Sequence, residues 1–194
     1  PYWFYSGVSA RGGAIPEYLE NIPLNFNLRT INYESSTSNG VAVYYKYGLS
    51  CLRVMSKAET HFPNLSDSES ELLAISNPDR ILENKSQSGF GEIVFGQEPQ
   101  HTWCYYFQKM DLAAQQAEWQ DVLSLYDESV GGGYAPRNGT EYMPVIKANA
   151  NLARWTEAVD LTRQGLALTG SARQYFCDSW DQFGKLSMGN TPAM

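Results

Sequence analysis

From about residue 98 the apolar positions fall into a helical period. Trp103, Phe107, Met110 and Ala114 stand at i, i+4, i+7 and i+11, and Tyr106 with Ala113 widens the stripe, which predicts a helix with one apolar face. Trp119, Val122, Leu123 and Leu125 predict a second helix, stopped by Gly131-Gly132-Gly133. A link through Gln116-Ala117-Glu118 makes the two an antiparallel hairpin. The pattern then returns: Trp155, Ala158, Val159 and Leu161 repeat the Trp119 set 36 residues on, as Tyr142 repeats Tyr106. Thr140 is placed as the cap of the later hairpin's first helix, which puts Pro144 in the first turn, where a missing N–H costs nothing.

The spacing is close to the 34 residues of a tetratricopeptide unit, whose hairpins bury their apolar faces only by stacking. Two hairpins need closing at both ends. Residues 171–186, with Tyr175, Phe176, Trp180 and Phe183, offer a capping C-terminal helix, and an N-terminal sheet could close the other end. Trp103, Phe107, Met110, Trp119, Leu123, Trp155 and Val159 are therefore read as packing between helices rather than as a ligand box.

The first 60 residues are rich in aromatic and β-branched residues and in turn formers. Phe26, Leu28, Ile31 and Tyr33 suggest a strand whose alternation slips once, and Ser35 to Gly40 reads as a turn tightest at Asn39-Gly40. Val41–Tyr47 and Cys51–Met55 read as two more strands, Pro1–Tyr5 as another extended segment, and the stretch from Ile15 to Leu24 as able to hold one helical turn. Between 61 and 97, Ser66-Asp67-Ser68-Glu69 fits a capping box opening a short helix that ends at Asn77-Pro78, and Ile93-Val94-Phe95 reads as a short extended piece. The expected class is α+β: a β-rich portion at 1–60, a connector at 61–97 and a tetratricopeptide-like helical portion at 98–194.

Composition changes the picture mainly by exclusion. With 14 basic against 21 acidic side chains in 194 residues, the net charge is −7. That gives no electrostatic footprint for nucleic acid or for anionic lipid. No apolar run is long enough for a transmembrane helix, so the chain is expected to be soluble, with any membrane attachment made through an anchor outside it. Because it begins at Pro1, it is expected to be processed or part of a longer polypeptide. Cys51, Cys104 and Cys177 are too scattered for zinc or a disulfide scaffold, which leaves buried thiols or one bridge between Cys51 and Cys104.

The chemistry is thin. His61 and His101 have no carboxylate at helical spacing, and Gly131–Gly133 follows a helix, the wrong side for cradling phosphate. Asp67, Glu69 and Glu71 suit a helix start, whereas Asp127 and Glu128 stand at a helix end. No catalytic, cofactor-binding or metal site is expected. Asn64, Asn84 and Asn138 lie in Asn-x-Ser/Thr triplets and are glycan acceptors only if the chain passes through a eukaryotic secretory route.

Several short motifs occur in an order that resembles a known group. They are Val43-Tyr44-Tyr45, Leu49 through Val54, Ile75 through Ile81, Phe95 through Pro99, His101 through Phe107, Asp111-Leu112-Ala113, Gln115 and Trp119. Together they resemble the soluble C-terminal region of large multi-pass membrane proteins of Chloroflexus-like bacteria, which look like lipid-linked-sugar glycosyltransferases of the dolichyl-phosphate-mannose mannosyltransferase type. The resemblance covers about residues 40–165. It departs at Tyr47-Gly48-Leu49-Ser50, where that group has Pro-Pro-Gly, and near Met143-Pro144-Val145, where Pro-Phe is common. The transferases' catalytic carboxylates lie outside the matched part. What it implies is an extracytoplasmic or cell-surface module attached to, or released from, a membrane assembly.

The functional expectation is a non-catalytic interaction module that holds a protein partner. Gln108, Lys109, Gln115, Lys147 and Asn151, on inner helices but off the apolar stripe, are the candidate contacts. The competing class is a carbohydrate-binding accessory domain, with Trp3, Tyr5 and Tyr44 as stacking rings in a chain that is 13% aromatic.

Overall fold

A computed structural model describes residues 21–59, 61–81 and 100–189. The expected segments at 1–5 and 93–95, the rings Trp3 and Tyr5, and Asn84 lie outside these. The described elements are strands β1 (Pro23–Leu28), β2 (Ile31–Ser36), β3 (Ala42–Tyr44) and β4 (Arg53–Met55), followed by helices α1 (Asp67–Leu72), α2 (Trp103–Gln115), α3 (Trp119–Gly131), α4 (Met143–Asn151), α5 (Trp155–Leu168) and α6 (Arg173–Gly189). The class is α+β, with two two-stranded sheets, β1-β2 and β3-β4.

The chain forms two compact units. One is drawn from within Pro1–Val43, Val54–Thr60 and Leu65–Glu83, and the other from Tyr44–Arg53, His61–Asn64 and Asn84–Met194.

In the first unit β1 and β2 pair antiparallel from Pro23 opposite Ser36 to Leu28 opposite Ile31. The slip expected within one strand is thus a turn between two, made by Arg29 at φ 56° without a glycine to announce it. Pro23 and Leu24, at the end of the stretch expected to hold a helical turn, belong to β1, and residues 15–20 of that stretch lie outside the described residues. The Ser35–Gly40 segment completes β2 and then turns as a 3₁₀ helix over Thr37–Asn39, and Gly40 is extended rather than left-handed. Thr37 is buried, and its hydroxyl accepts from Ile22 N–H at 2.9 Å. Ser76, also buried, donates to the Met55 carbonyl at 2.6 Å and accepts from Ala42 N–H at 3.0 Å, so one hydroxyl joins three chain segments. The expected capping box is present: Ser66 Oγ accepts from Glu69 N–H, and the Glu69 carboxylate accepts from Ser66 N–H at 2.8 Å. That Ser66 N–H, and next the Ser66 hydroxyl donating to the same carboxylate at 2.7 Å, hold the Glu69 carboxyl below its ordinary value. The helix is shorter than expected, because a 3₁₀ turn over Leu73–Ile75 takes over from it.

In the second unit α2 packs on α3, α4 on α5, and α4 also touches α2, α3 and α6. Central α4 is buried along nearly its whole length, with only Lys147 and Asn151 reaching solvent. Both hairpins turn identically. Ala117 and Ala153, 36 residues apart, are left-handed at φ 58° and 57°. The next N–H in each, Glu118 and Arg154, donates back to Ala113 and Asn149 at 2.9 and 2.8 Å, closing a Schellman motif. Across each hairpin Tyr106 donates to Glu128 at 3.0 Å and Tyr142 to Gln164 at 3.3 Å, pairs that also differ by 36.

The cap of the later hairpin is Asn138, not Thr140. Its Oδ1 accepts from Thr140 N–H and hydroxyl, both at 2.9 Å, ahead of a 3₁₀ turn over Gly139–Tyr142. Asx side chains reach the N–H two residues on more readily than a threonine does. The final helix runs three residues beyond the expected 186.

Of the residues expected in the core, Trp103, Phe107, Met110 and Leu123 are buried, while Trp119 and Val159 are half-buried. Trp155, at the first position of α5, is 39% exposed, with the tilted ring of Trp180 6.3 Å away.

Candidate interaction surface

Cys51 and Cys104 are bonded, tying the Tyr44–Arg53 segment to the first turn of α2 across 53 residues. Cys177 is exposed on α6, so the expectation of a buried thiol fails for it. A buried carboxylate secures the same segment from the other side. Glu141 accepts from Cys51 N–H and from Trp103 Nε1, both at 2.8 Å, and from Arg137 N–H at 3.3 Å. A buried carboxylate with three N–H donors is satisfied where it stands, which gives it a structural task.

Two residues on, Arg53 enters the side of the array formed by α2, the α4 approach and α6. Its guanidinium donates to the Thr140 carbonyl at 3.3 Å and to the Tyr175 hydroxyl at 2.8 Å, and lies 3.9 Å from the Asp111 carboxylate. Three rings, Phe62, Tyr175 and Phe107, face it at 5.4, 5.7 and 6.0 Å. The planar, weakly hydrated guanidinium is the cation suited to such a place. Phe62 adds edge contacts to Tyr44 at 4.9 Å and Tyr175 at 5.4 Å, so Tyr44, expected as a stacking platform, is spent on packing. His61, beside Phe62, meets the carboxylate of Asp178, a partner 117 residues away that helical spacing could not reveal.

This geometry redraws the inner face of the helices. Where Phe107, Asp111 and Tyr175 gather, the chain's own Arg53 and Phe62 cover it. The candidate contacts lie beside that cover. Gln108, Lys109 and Gln115 are exposed on α2; on α4 Lys147 is half-buried and Asn151 exposed. Gln115 and Asn151 occupy equivalent places 36 residues apart, on helices that pack together. Asn151 donates to its own helix at the Lys147 carbonyl, 2.8 Å, and Gln115 reaches Asp111 at 3.4 Å. Lys109 points elsewhere, its ammonium 5.1 Å from the ring centre of Tyr105. On α2 Gln108 and Gln115 stand seven residues apart on one helix face, and on α4 Lys147 and Asn151 stand four apart, while the Lys109 ammonium turns to the Tyr105 ring.

An aromatic cluster stands at the start of α2. His101 and Tyr105 stack at 3.6 Å, Tyr106 meets both edge-on, and Tyr134 tilts against Tyr106 at 5.8 Å. Tyr105 has His101 over its ring and Lys109 at 5.1 Å, contacts that occupy the ring itself. Among the described residues no group of three or more His, Cys, Asp or Glu side chains is placed to hold a metal ion. No described helix is long and apolar enough to cross a membrane. Asn138, a triplet asparagine, is committed to its cap, whereas Asn64 is exposed at φ 66°.

Comparison with known protein families, curated proteins and solved structures finds no match for the chain.

Proposed function

We propose that the chain is a non-catalytic interaction module of tetratricopeptide-like helical hairpins that binds a protein partner through its repeat surface. The observation that carries this reading is the 36-residue recurrence of one hairpin geometry, from the left-handed alanines to the tyrosine pairs. Repeated hairpins present equivalent side chains on one surface, as Gln115 and Asn151 are here, with Gln108 on the face of Gln115 and Lys147 on that of Asn151. The bond between Cys51 and Cys104 supports an oxidising, extracytoplasmic setting, since such bonds are rare in reducing compartments. The motif resemblance set out above supports attachment to a membrane assembly.

The test places a photo-crosslinking residue at Gln115 or Asn151, and a control at exposed Arg163 on α5, in cells that make the chain. A defined adduct from the first two positions and none from the third is expected. Adducts from Arg163 alone, or from none of the three, defeat the reading.

A second reading, carbohydrate binding, is favoured by Trp155, whose partly exposed ring lies beside Trp180. It predicts that oligosaccharides quench or shift tryptophan fluorescence and that Trp155→Ala abolishes the response. An unresponsive wild type removes it.

A further inference from the structure

The Tyr45–Leu52 segment has a feature that packing does not explain. Tyr45, Tyr47, Leu49 and Leu52 are 57, 87, 57 and 42% exposed, four large apolar side chains within eight residues. Apolar residues exposed one by one along a chain are ordinary, but four on one short turn mark a contact. The backbone under them is fixed. The Lys46 carbonyl accepts from the N–H groups of Leu49 and Ser50, both at 3.0 Å, and the Ser50 hydroxyl accepts from Lys46 N–H at 2.9 Å. Gly48, at φ 72°, supplies the left-handed step. The Cys51–Cys104 bond and the Cys51 N–H bond to Glu141 hold the base of the turn. Little conformational freedom remains to be lost when these side chains are covered.

We propose that this turn is an interfacial loop that inserts its apolar side chains into the headgroup region of a lipid bilayer. Three observations select a bilayer over a protein. The most exposed side chain, Tyr47 at 87%, stands within the tight turn closed on the Lys46 carbonyl, and a medium closing around such a side chain covers it more fully than a preformed groove in a partner. Tyrosine is a residue of membrane interfaces, with an apolar ring and a hydroxyl that keeps water or headgroup oxygens, and two of the four are tyrosines. The charge also fits. Residues 44–52 contain one cation, the exposed Lys46, and no acid, in a chain of net charge −7, so this is a stretch that lipid phosphates do not repel. The inference is independent of the candidate contacts on α2 and α4.

The test is co-flotation of the full chain with vesicles of phosphatidylcholine, and of phosphatidylcholine with phosphatidylglycerol. The wild type is expected to float with both, and Tyr47→Ser/Leu49→Ser to lower the bound fraction about tenfold or more with an unchanged melting temperature. If the double variant is less stable, Tyr47→Ser alone decides, because that side chain is almost wholly in solvent. Lys46→Glu is expected to weaken binding to the vesicles containing phosphatidylglycerol. Wild-type chain left in the aqueous fraction with both vesicles, or variants that float as well as wild type, overturn the proposal. So does a lipid-free dimer that the double variant loses, which would assign the turn to a second copy of the chain.

Discussion

Arg53 Nη2 donates to the Tyr175 hydroxyl at 2.8 Å across 122 residues, joining the turn-bearing segment to the last helix. The same guanidinium donates to the Thr140 carbonyl and lies beside the Asp111 carboxylate. Arg53→Met keeps the volume and removes the charge and donors, leaving those acceptors with one partner fewer. The expected cost is roughly 3 kcal/mol. Arg53→Lys keeps the charge but cannot span Thr140 and Tyr175 together, and is expected to lose less than Met. Arg53→Met/Asp111→Asn is expected to recover part of the loss. Urea denaturation of the three variants measures this, and a near-neutral Arg53→Met would remove the structural role.

Ala117 and Ala153 give a prediction of opposite sign. Each sits in the left-handed region at a Schellman turn, where an alanine side chain crowds its own carbonyl and a glycine does not. Ala117→Gly and Ala153→Gly are each expected to stabilise by about 0.5–1 kcal/mol, less the extra freedom that glycine gives the unfolded chain. The two are expected to add, because the turns belong to different hairpins. Thermal melting of the single and double variants checks it; destabilisation by either would mean that the alanine methyl makes contacts worth more than the strain.

These turns also show what the sequence carries and what it hides. The helices were legible because Trp103, Phe107 and Met110 must lie on one face to be buried, and that demand writes a period into the chain. The 36-residue offset was legible for the same reason. The turn at Arg29 was not, since a left-handed arginine leaves no glycine to read, and two strands looked like one that slips. Trp155 matches the core spacing yet is 39% exposed, since the first position of a helix has no preceding helical turn to cover it. The candidate contacts on α2 and α4 could be drawn from residues off the apolar stripe. Their neighbour, the Arg53 cluster, could not, because two of its partners are 87 and 122 residues away and no local pattern records such distances.

Tyr106 links the first hairpin to pH. Its phenol donates to the Glu128 carboxylate, and that bond foremost holds its pKa above the ordinary tyrosine value. A folded value above the unfolded one means that the stabilisation is fully present below the ordinary tyrosine value near 10 and is lost as pH rises through the raised value. Wild type is therefore expected to exceed Tyr106→Phe in stability at pH 8 and to lose that advantage in strongly alkaline solution. Denaturation midpoints of the two proteins across this range measure it. A difference independent of pH would show that the hydroxyl contributes by packing alone.

Gly139 and Gly165 mark where the two hairpins differ, for the equivalent places 36 residues earlier hold Trp103 and Ser129. A methyl group on Gly139 would overlap the backbone carbonyl of Gly165, and one on Gly165 would come within 2.7 Å of Phe176 Cζ and 2.9 Å of the Gly139 carbonyl oxygen. The approach into α4 therefore runs against α5 with no room for a side chain at either glycine. For Gly139→Ala the obstacle is backbone, which cannot swing aside as a side chain can, so a loss of about 3 kcal/mol or more is expected, with incomplete folding at physiological temperature. Gly165→Ala meets in part the far end of a ring and is expected to cost less. Gly131→Ala, at the end of α3 with nothing within 4 Å, serves as the control and is expected to be neutral or slightly stabilising. Melting temperatures of the three variants rank the sites. A Gly139→Ala protein as stable as the control would mean that the second hairpin can open at its entry, and that the close contact is not what fixes α4 at the centre of the array.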